Sequence, residues 1–207
     1  MARHWSHFIE TKLHPTAQKL VSTVASMLDG SNPHDILVDE VLRVSGISRG
    51  SLYHHFGDFD GLVHTTLMTR FAANVEADGA AMRHVAESAT SKEDYWNRIR
   101  QLSAQTQVPS RAPVRAERAR LIGMASLGGE FAAALASVQD RLTEVMAEAI
   151  AQAQTKGWVN PSLSPRALSL FLQAYSLGRA IDDIAGTHVP NQEWVELIDT
   201  VLASFEG

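Results

Sequence analysis

Apolar residues recur at helical spacing along almost the whole chain, and no window shows the sustained alternation of a half-buried strand. That regularity confines the chain to the all-α class, in which each apolar stripe must be buried against another helix. Punctuation residues divide the pattern into about nine helices. Leu20, Val21, Val24, Ala25 and Leu28 form a first stripe, entered through Pro15 and ended by Gly30. Val38, Val41 and Leu42 form a short second one that stops at Gly46, and Leu52 and Phe56 lie four apart on a third. Asp58 is placed to cap a fourth helix running to about Ala81. Thr90 to Glu93 has capping-box spacing ahead of Trp96, Ile99 and Leu102. Pro109 and Pro113 then interrupt the pattern, and a helix carrying Leu121, Ile122 and Met124 ends at Gly128-Gly129. A long Ala-rich run from Phe131 to Lys156 is closed by Gly157, Ser164-Pro165 opens a helix reaching Gly186, and Asn191 opens the last. The short elements group as residues 1–57, and the remainder, 58–207, forms a larger helical bundle.

With 207 residues, 45% hydrophobic and 20% charged, the chain can bury such a core. It has no Cys, which excludes disulfide frameworks, thiolate zinc sites and cysteine nucleophiles. The start, MARHWSHFIETKLHP, lacks the apolar segment of a secretory signal, and no run approaches the roughly 18 apolar residues of a membrane span. A cytoplasmic protein without a membrane partner is the expectation. Net charge is −5, yet residues 1–56 balance five Lys/Arg against five Asp/Glu and carry six of the nine His. The N-terminal part is the less acidic end.

The segment SGISRGSLYHHF, residues 45–56, can be read two ways. Gly46-Ile-Ser48-Arg-Gly50 matches the G-x-S-x-G elbow of serine hydrolases, with Ser48 as nucleophile. That elbow needs a strand before it, whereas Val38 to Val44 has helical spacing. A triad would also draw on His64, His84 or His188, and nothing marks them. No catalytic residue and no cofactor is expected. The alternative is a helix-turn-helix: Gly46 makes the turn, Ser48 caps the second helix, and Leu52 and Phe56 pin it inward. Arg49, Gly50, Ser51, Tyr53 and His54 then face outward. An Arg can fork onto guanine, and hydroxyls can donate to phosphate oxygens.

Residues 17–62 resemble the N-terminal domain of the TetR family of transcriptional regulators, on the run VLRVSGISRGSLYHHFGDFDGL. Gly46-Ile47-Ser48, Ser51-Leu52-Tyr53, His55-Phe56 and Leu62 carry the likeness. The resemblance implies a homodimeric repressor with Ser48, Arg49, Gly50, Ser51, Tyr53, His54 and His55 against a palindromic operator in double-stranded DNA. It also implies release by a small-molecule effector through a movement of helix four. Three positions depart from the pattern. Leu37 replaces a Thr at the second helix start, leaving its capping to Asp35 or Asn32-Pro33. Phe59, between Asp58 and Asp60, stands where a phosphate-touching Lys is usual. Asp39 and Glu40 place acid on the helix before the turn. The rival reading is a helical adaptor or dimerisation module that has lost DNA binding.

The resemblance places an effector cavity behind the DNA-binding domain. Trp96, Leu121, Met124, Phe131, Met146, Trp158, Phe171 and Tyr175 are its candidate lining. For a dimer interface on the last two helices the candidates are Leu168, Leu172, Gly178, Trp194, Ile198, Val201, Leu202 and Phe205. His4 and His7 have metal spacing but lack a third ligand, so no metal is expected; with Arg3 and Lys12 they form an N-terminal arm. Arg111, Arg115, Arg118 and Arg120 read as a solvated basic face offset by Glu117, or as the seat of an acidic ligand or an extra DNA contact. Arg179, Asp182 and Asp183 read as a surface or interface ion pair.

Overall fold

The computed structural model describes residues 13–31, 33–126 and 128–207. Arg3, His4, His7, Lys12 and Asn32, named above for the arm and for capping, lie outside them. Among the described residues there are nine α-helices: α1 (Pro15–Leu28), α2 (Val38–Ser45), α3 (Arg49–Phe56), α4 (Phe59–Ser88), α5 (Lys92–Gln107), α6 (Ala112–Ala125), α7 (Gly129–Thr155), α8 (Pro165–Asp183) and α9 (Asn191–Ala203). The single β feature among them is an isolated antiparallel bridge between Val159 and Glu206. No described helix is long and apolar enough to cross a membrane.

Two compact units result, Met1–Asn74 and Val75–Gly207, and the division falls inside α4. In the first unit Leu20, Val24, Val41, Leu52, Phe56 and Leu62 are buried together with Leu67 and Met68. Arg70 ties α4 to the end of α1 by donating to Ala25 O at 2.9 Å and to Asp29 Oδ1 at 2.7 Å. In the second unit the long α7 buries Leu135, Val138, Leu142, Met146 and Ile150. Trp96 donates its indole N–H to Trp158 O at 2.8 Å, and Asn160 N–H donates to Phe205 O at 2.9 Å, which fastens the C-terminus beside α5.

Several helix ends follow the local chemistry read from the sequence. Ser164 caps α8 ahead of Pro165, and the Gly61 N–H donates to Asp58 Oδ1 at 2.6 Å in the first turn of α4. Others differ. The cap of α5 is Ser91, not Thr90: Asp94 N–H donates to Ser91 Oγ and Thr90 N–H donates back to Asp94 Oδ2. The reciprocal box is therefore one residue further on. Helix α7 begins at Gly129, two residues before Phe131, and α4 extends past Ala81 to Ser88. Leu37 is the N-cap of α2 and supplies no side-chain hydrogen bond there.

Gly46 ends α2 at φ +65, the left-handed conformation that a side chain disfavours, and its N–H donates to Leu42 O. A Cβ there would meet nothing within 4 Å. The expected penalty of Gly46→Ala is therefore purely conformational, about 1–2 kcal/mol, read as a lowered urea midpoint with unchanged slope.

Candidate nucleic-acid interface and cavity

Helix α3 is two turns long and is held at both ends. Ser48 is its N-cap, accepting from Ser51 N–H at 3.2 Å, and its hydroxyl lies 3.0 Å from that of Ser51. These contacts, with a helix before Ser48 in place of a strand, leave the nucleophile reading without its elbow. Leu52 and Phe56 anchor the helix in the core, at 0% and 4% exposure. Arg49, Gly50, Tyr53 and His54 are exposed on the opposite side, and Ser51 is half-buried. No atom but Ser48 Oγ comes within 4 Å of a Cβ built on Gly50, so the backbone there is open to close approach.

Arg49 is not a loose cation. It is paired with the Asp39 carboxylate on α2, and Tyr53, then Asp39, raise its pKa further. The acid on α2 thus holds the Arg49 guanidinium at the exposed side of α3. His55 is half-buried and stacks on His14 at 5.2 Å, with His54 edge-on at 5.1 Å. Burial, then the neighbouring His54 and His14, lower its pKa, so it is neutral at pH 7. This fits packing support better than a charged phosphate contact. Phe59 is half-buried at the start of α4 and contributes no charge there. No metal-binding group of His, Asp and Glu occurs among the described residues.

The second unit encloses a cavity of about 410 Å³, within the usual size range for small-ligand pockets. Of the eight expected lining residues, only Met146 and Tyr175 lie on it. Trp96 lines a separate void of about 20 Å³ with Tyr95 and Leu202. Leu121, Met124, Phe131, Trp158 and Phe171 line neither. Leu121 is core, Trp158 packs against the Lys156 ammonium and against Tyr95, and Phe171 lies tilted to Tyr175 and edge-on to Phe205. The lining that the sequence reading missed is contributed by Asp78 and Met82 on α4, Ile99 and Leu102 on α5, and Leu142 on α7. One signal was available. Asp78 sits in register with Val75, Met82 and Val85, all buried, so a carboxylate interrupts an apolar stripe.

The arginine cluster on α6 is not a solvated face. Arg115 is buried, 4% exposed, and forks onto Asp183 with Nε and Nη2 each at 2.7 Å. Its Nη1 also donates to Thr106 O at 2.7 Å. Arg111 and Arg118 line the cavity. Arg118 donates to Gln173 Oε1 at 2.8 Å and to Gln139 Oε1 at 3.1 Å. Arg179, read as part of a surface or interface ion pair, does pair with Asp182 Oδ2 at 3.5 Å, but it is buried, with the Trp194 ring beneath it at 5.6 Å.

The last two helices divide their apolar residues between two sides. Leu168, Ile198 and Leu202, expected at a dimer interface, are buried within the second unit, Leu202 completely. Leu172 faces the cavity, and Trp194 donates its indole N–H inward to Gln107 Oε1 at 2.8 Å. Phe205 lies against Phe171, while Gly178 and Val201 are half-buried. Among the apolar residues that stay exposed, Leu170, Ala174 and Ile181 form a stripe on α8, with the half-buried Leu177 in register and Leu197 on α9. Ile181 is 76% exposed and Leu170 61%.

No protein-family model and no curated protein matches the sequence. Solved structures do match in architecture. A protein from Rhodococcus sp. assigned to the TetR-family transcriptional regulators covers 93% of this chain and 99% of its own, at 20% identity and TM-score 0.62. A TetR-family transcriptional regulator from Pectobacterium atrosepticum covers 91% of each chain at 17% identity and TM-score 0.63. The chain has the TetR-regulator fold. A third structural match is a protein from Saccharomonospora viridis assigned as a transcriptional regulator and solved in complex with choline. It covers 92% of this chain and 97% of its own, at 15% identity and TM-score 0.67. Within the TetR fold, α2 and α3 are the helix-turn-helix whose sequence pattern was quoted above.

Proposed function

We propose that this protein is a TetR-type DNA-binding transcriptional regulator, a homodimeric repressor that a small-molecule effector releases from a palindromic operator. One observation carries the reading. A short helix, pinned by Leu52 and Phe56, presents Arg49, Gly50, Tyr53 and His54 outward in the position of a recognition helix. Residues 1–57 serve as the DNA-binding part and 58–207 as the effector-binding and dimerisation part. Ser48 acts as the cap, Ser51 and Tyr53 address phosphates, and Arg49 reads a base edge. His55 supports the helix from behind.

The α8 stripe of Leu170, Ala174, Leu177 and Ile181 is the surface that a second copy would cover, with Leu197 beside it. Two-fold pairing there supports a palindromic site with half-sites about one helical turn apart. The cavity lies along α4, the helix that begins just after the recognition helix, so ligand occupancy has a continuous element through which to act.

Selection from random duplexes followed by gel shift tests this reading. Arg49→Ala is expected to relax preference at one base per half-site, roughly tenfold to hundredfold. Tyr53→Phe is expected to weaken binding to all sequences alike. Wild-type behaviour by both variants would remove α3 from the interface.

A further inference from the structure

We propose that the α4–α8 cavity takes an amphiphile bearing a single carboxylate, with its head at Arg118 and Arg111 and its apolar tail against Met82, Ile99, Leu102, Leu142 and Met146. This rests on reading that cavity as the effector site, and it fixes the sign of the effector's charge. Three lining side chains carry formal charge at neutral pH: Asp78, Arg111 and Arg118. One carboxylate against two guanidiniums leaves the wall at +1, or +2 when Asp78 holds a proton. All three line the same cavity, where burial raises the Asp78 pKa and the fields of Arg111 and Arg118 lower it.

Arg118 is the most confined of them. Burial of its guanidinium lowers its pKa against the raising field of Asp78, and two of the groups that accept from it, Gln173 and Gln139, are neutral. A desolvated guanidinium gains more from an anion than from a neutral acceptor, and a planar carboxylate matches its paired donors. Gln139 and Gln173 are themselves hydrogen-bonded to each other and to Thr143, so the polar end is built into the walls. The rest of the lining sets Ala, Ile, Leu and Met side chains beside Ser103, Gln105, Thr106, Gln173, Tyr175 and Ser176, and its aliphatic part suits a hydrocarbon tail. A cation would be placed beside two like charges with Asp78 as its only opposite partner, at a penalty that grows in a low-dielectric site. Choline, a cation, is bound by the Saccharomonospora protein of the same fold; the wall described here calls for the opposite sign.

Calorimetry on the full-length chain with probes of matched tail separates these possibilities. The probes are hexanoate, octanoate and decanoate, the corresponding alcohols, and the corresponding alkyltrimethylammonium ions. At least one carboxylate is expected to bind about tenfold or more tighter than its alcohol, with no ammonium ion binding. Arg111→Gln should weaken that carboxylate about tenfold and leave the alcohol unchanged, and Asp78→Asn should tighten it. Arg118→Gln should abolish the preference. If that variant does not fold, the Arg111 and Asp78 variants still decide. Binding of an ammonium ion in preference to the carboxylates, or no carboxylate binding at all, overturns the proposal. A gel shift with the same probes reports on the broader reading separately. Carboxylate binding without any change in DNA affinity keeps the ligand class and removes the cavity's regulatory role.

Discussion

Arg115→Met is expected to lower stability by about 3 kcal/mol, the low end of the range for breaking a buried ion pair, because Asp183 keeps some contact with water. In a chain of this size that is a fall in Tm of roughly 6–12 °C. The side chain does more than pair with Asp183. It also donates to Thr106 O and Val108 O, so it joins the end of α5, the start of α6 and the end of α8. The pH dependence gives a second readout. Hydrogen bonds from Arg115, then the neighbouring positive charges, hold the Asp183 carboxyl below its ordinary pKa. A depressed carboxyl contributes stability that is fully present above the unfolded value, about 3.9, and lost as pH falls through the folded value. The variant should lose that acid-side slope. Thermal melts of both proteins between pH 3 and 7 check it, and parallel curves would mean that Asp183 draws its stabilisation elsewhere.

The double variant Leu170→Asp/Ile181→Asp is expected to be monomeric and to bind operator about 10²–10⁴-fold more weakly. Both residues are exposed on α8, so neither change opens the protomer core. Each puts a charge into the apolar stripe proposed for the partner subunit, where desolvating it is unfavourable. Without pairing, the second half-site is no longer gained intramolecularly, which is the origin of the loss. Sedimentation at micromolar concentration and gel shift on the same samples test it. A variant that remains dimeric would move the interface off this face, and a wild-type protein that sediments as a monomer would remove the dimer altogether.

The helix plan was legible in the sequence because it is written in local chemistry. Pro15, Gly46, Ser164-Pro165 and Gly157 mark ends that depend only on neighbouring backbone groups. The outward face of α3 was legible for the same reason, since two apolar residues four apart fix which way the others point. The last two helices were not. Leu168 and Leu170 are two residues apart and equally apolar, yet one is buried and the other open. Composition cannot rank two apolar sides of one helix; that depends on what packs against each. The cavity was harder still, because it is a gap among residues from α4 to α8, and hydrophobic size does not predict where packing fails. Its charged residues held the better signal. Arg115 and Arg118 are three apart on α6 and looked like a surface run, but their partners lie on α7 and α8, at sequence distances local reading does not reach.

Under the proposed function, Asp39 and Phe59 set how strongly α3 holds DNA. Asp39 pairs with Arg49, and Phe59 stands where the resemblance to the TetR family implies a phosphate-touching Lys. Each missing phosphate contact lowers the slope of log affinity against log salt by about 1.

The most direct test of the account is a gel shift of the wild-type chain on a palindrome selected from random duplexes, run across a salt series beside Arg49→Ala. Sequence-dependent binding is expected, with two half-sites about one turn apart, a shallow salt slope, and loss of preference at one base per half-site in the variant. Binding that is equally weak on every sequence, and indifferent to Arg49, would contradict it.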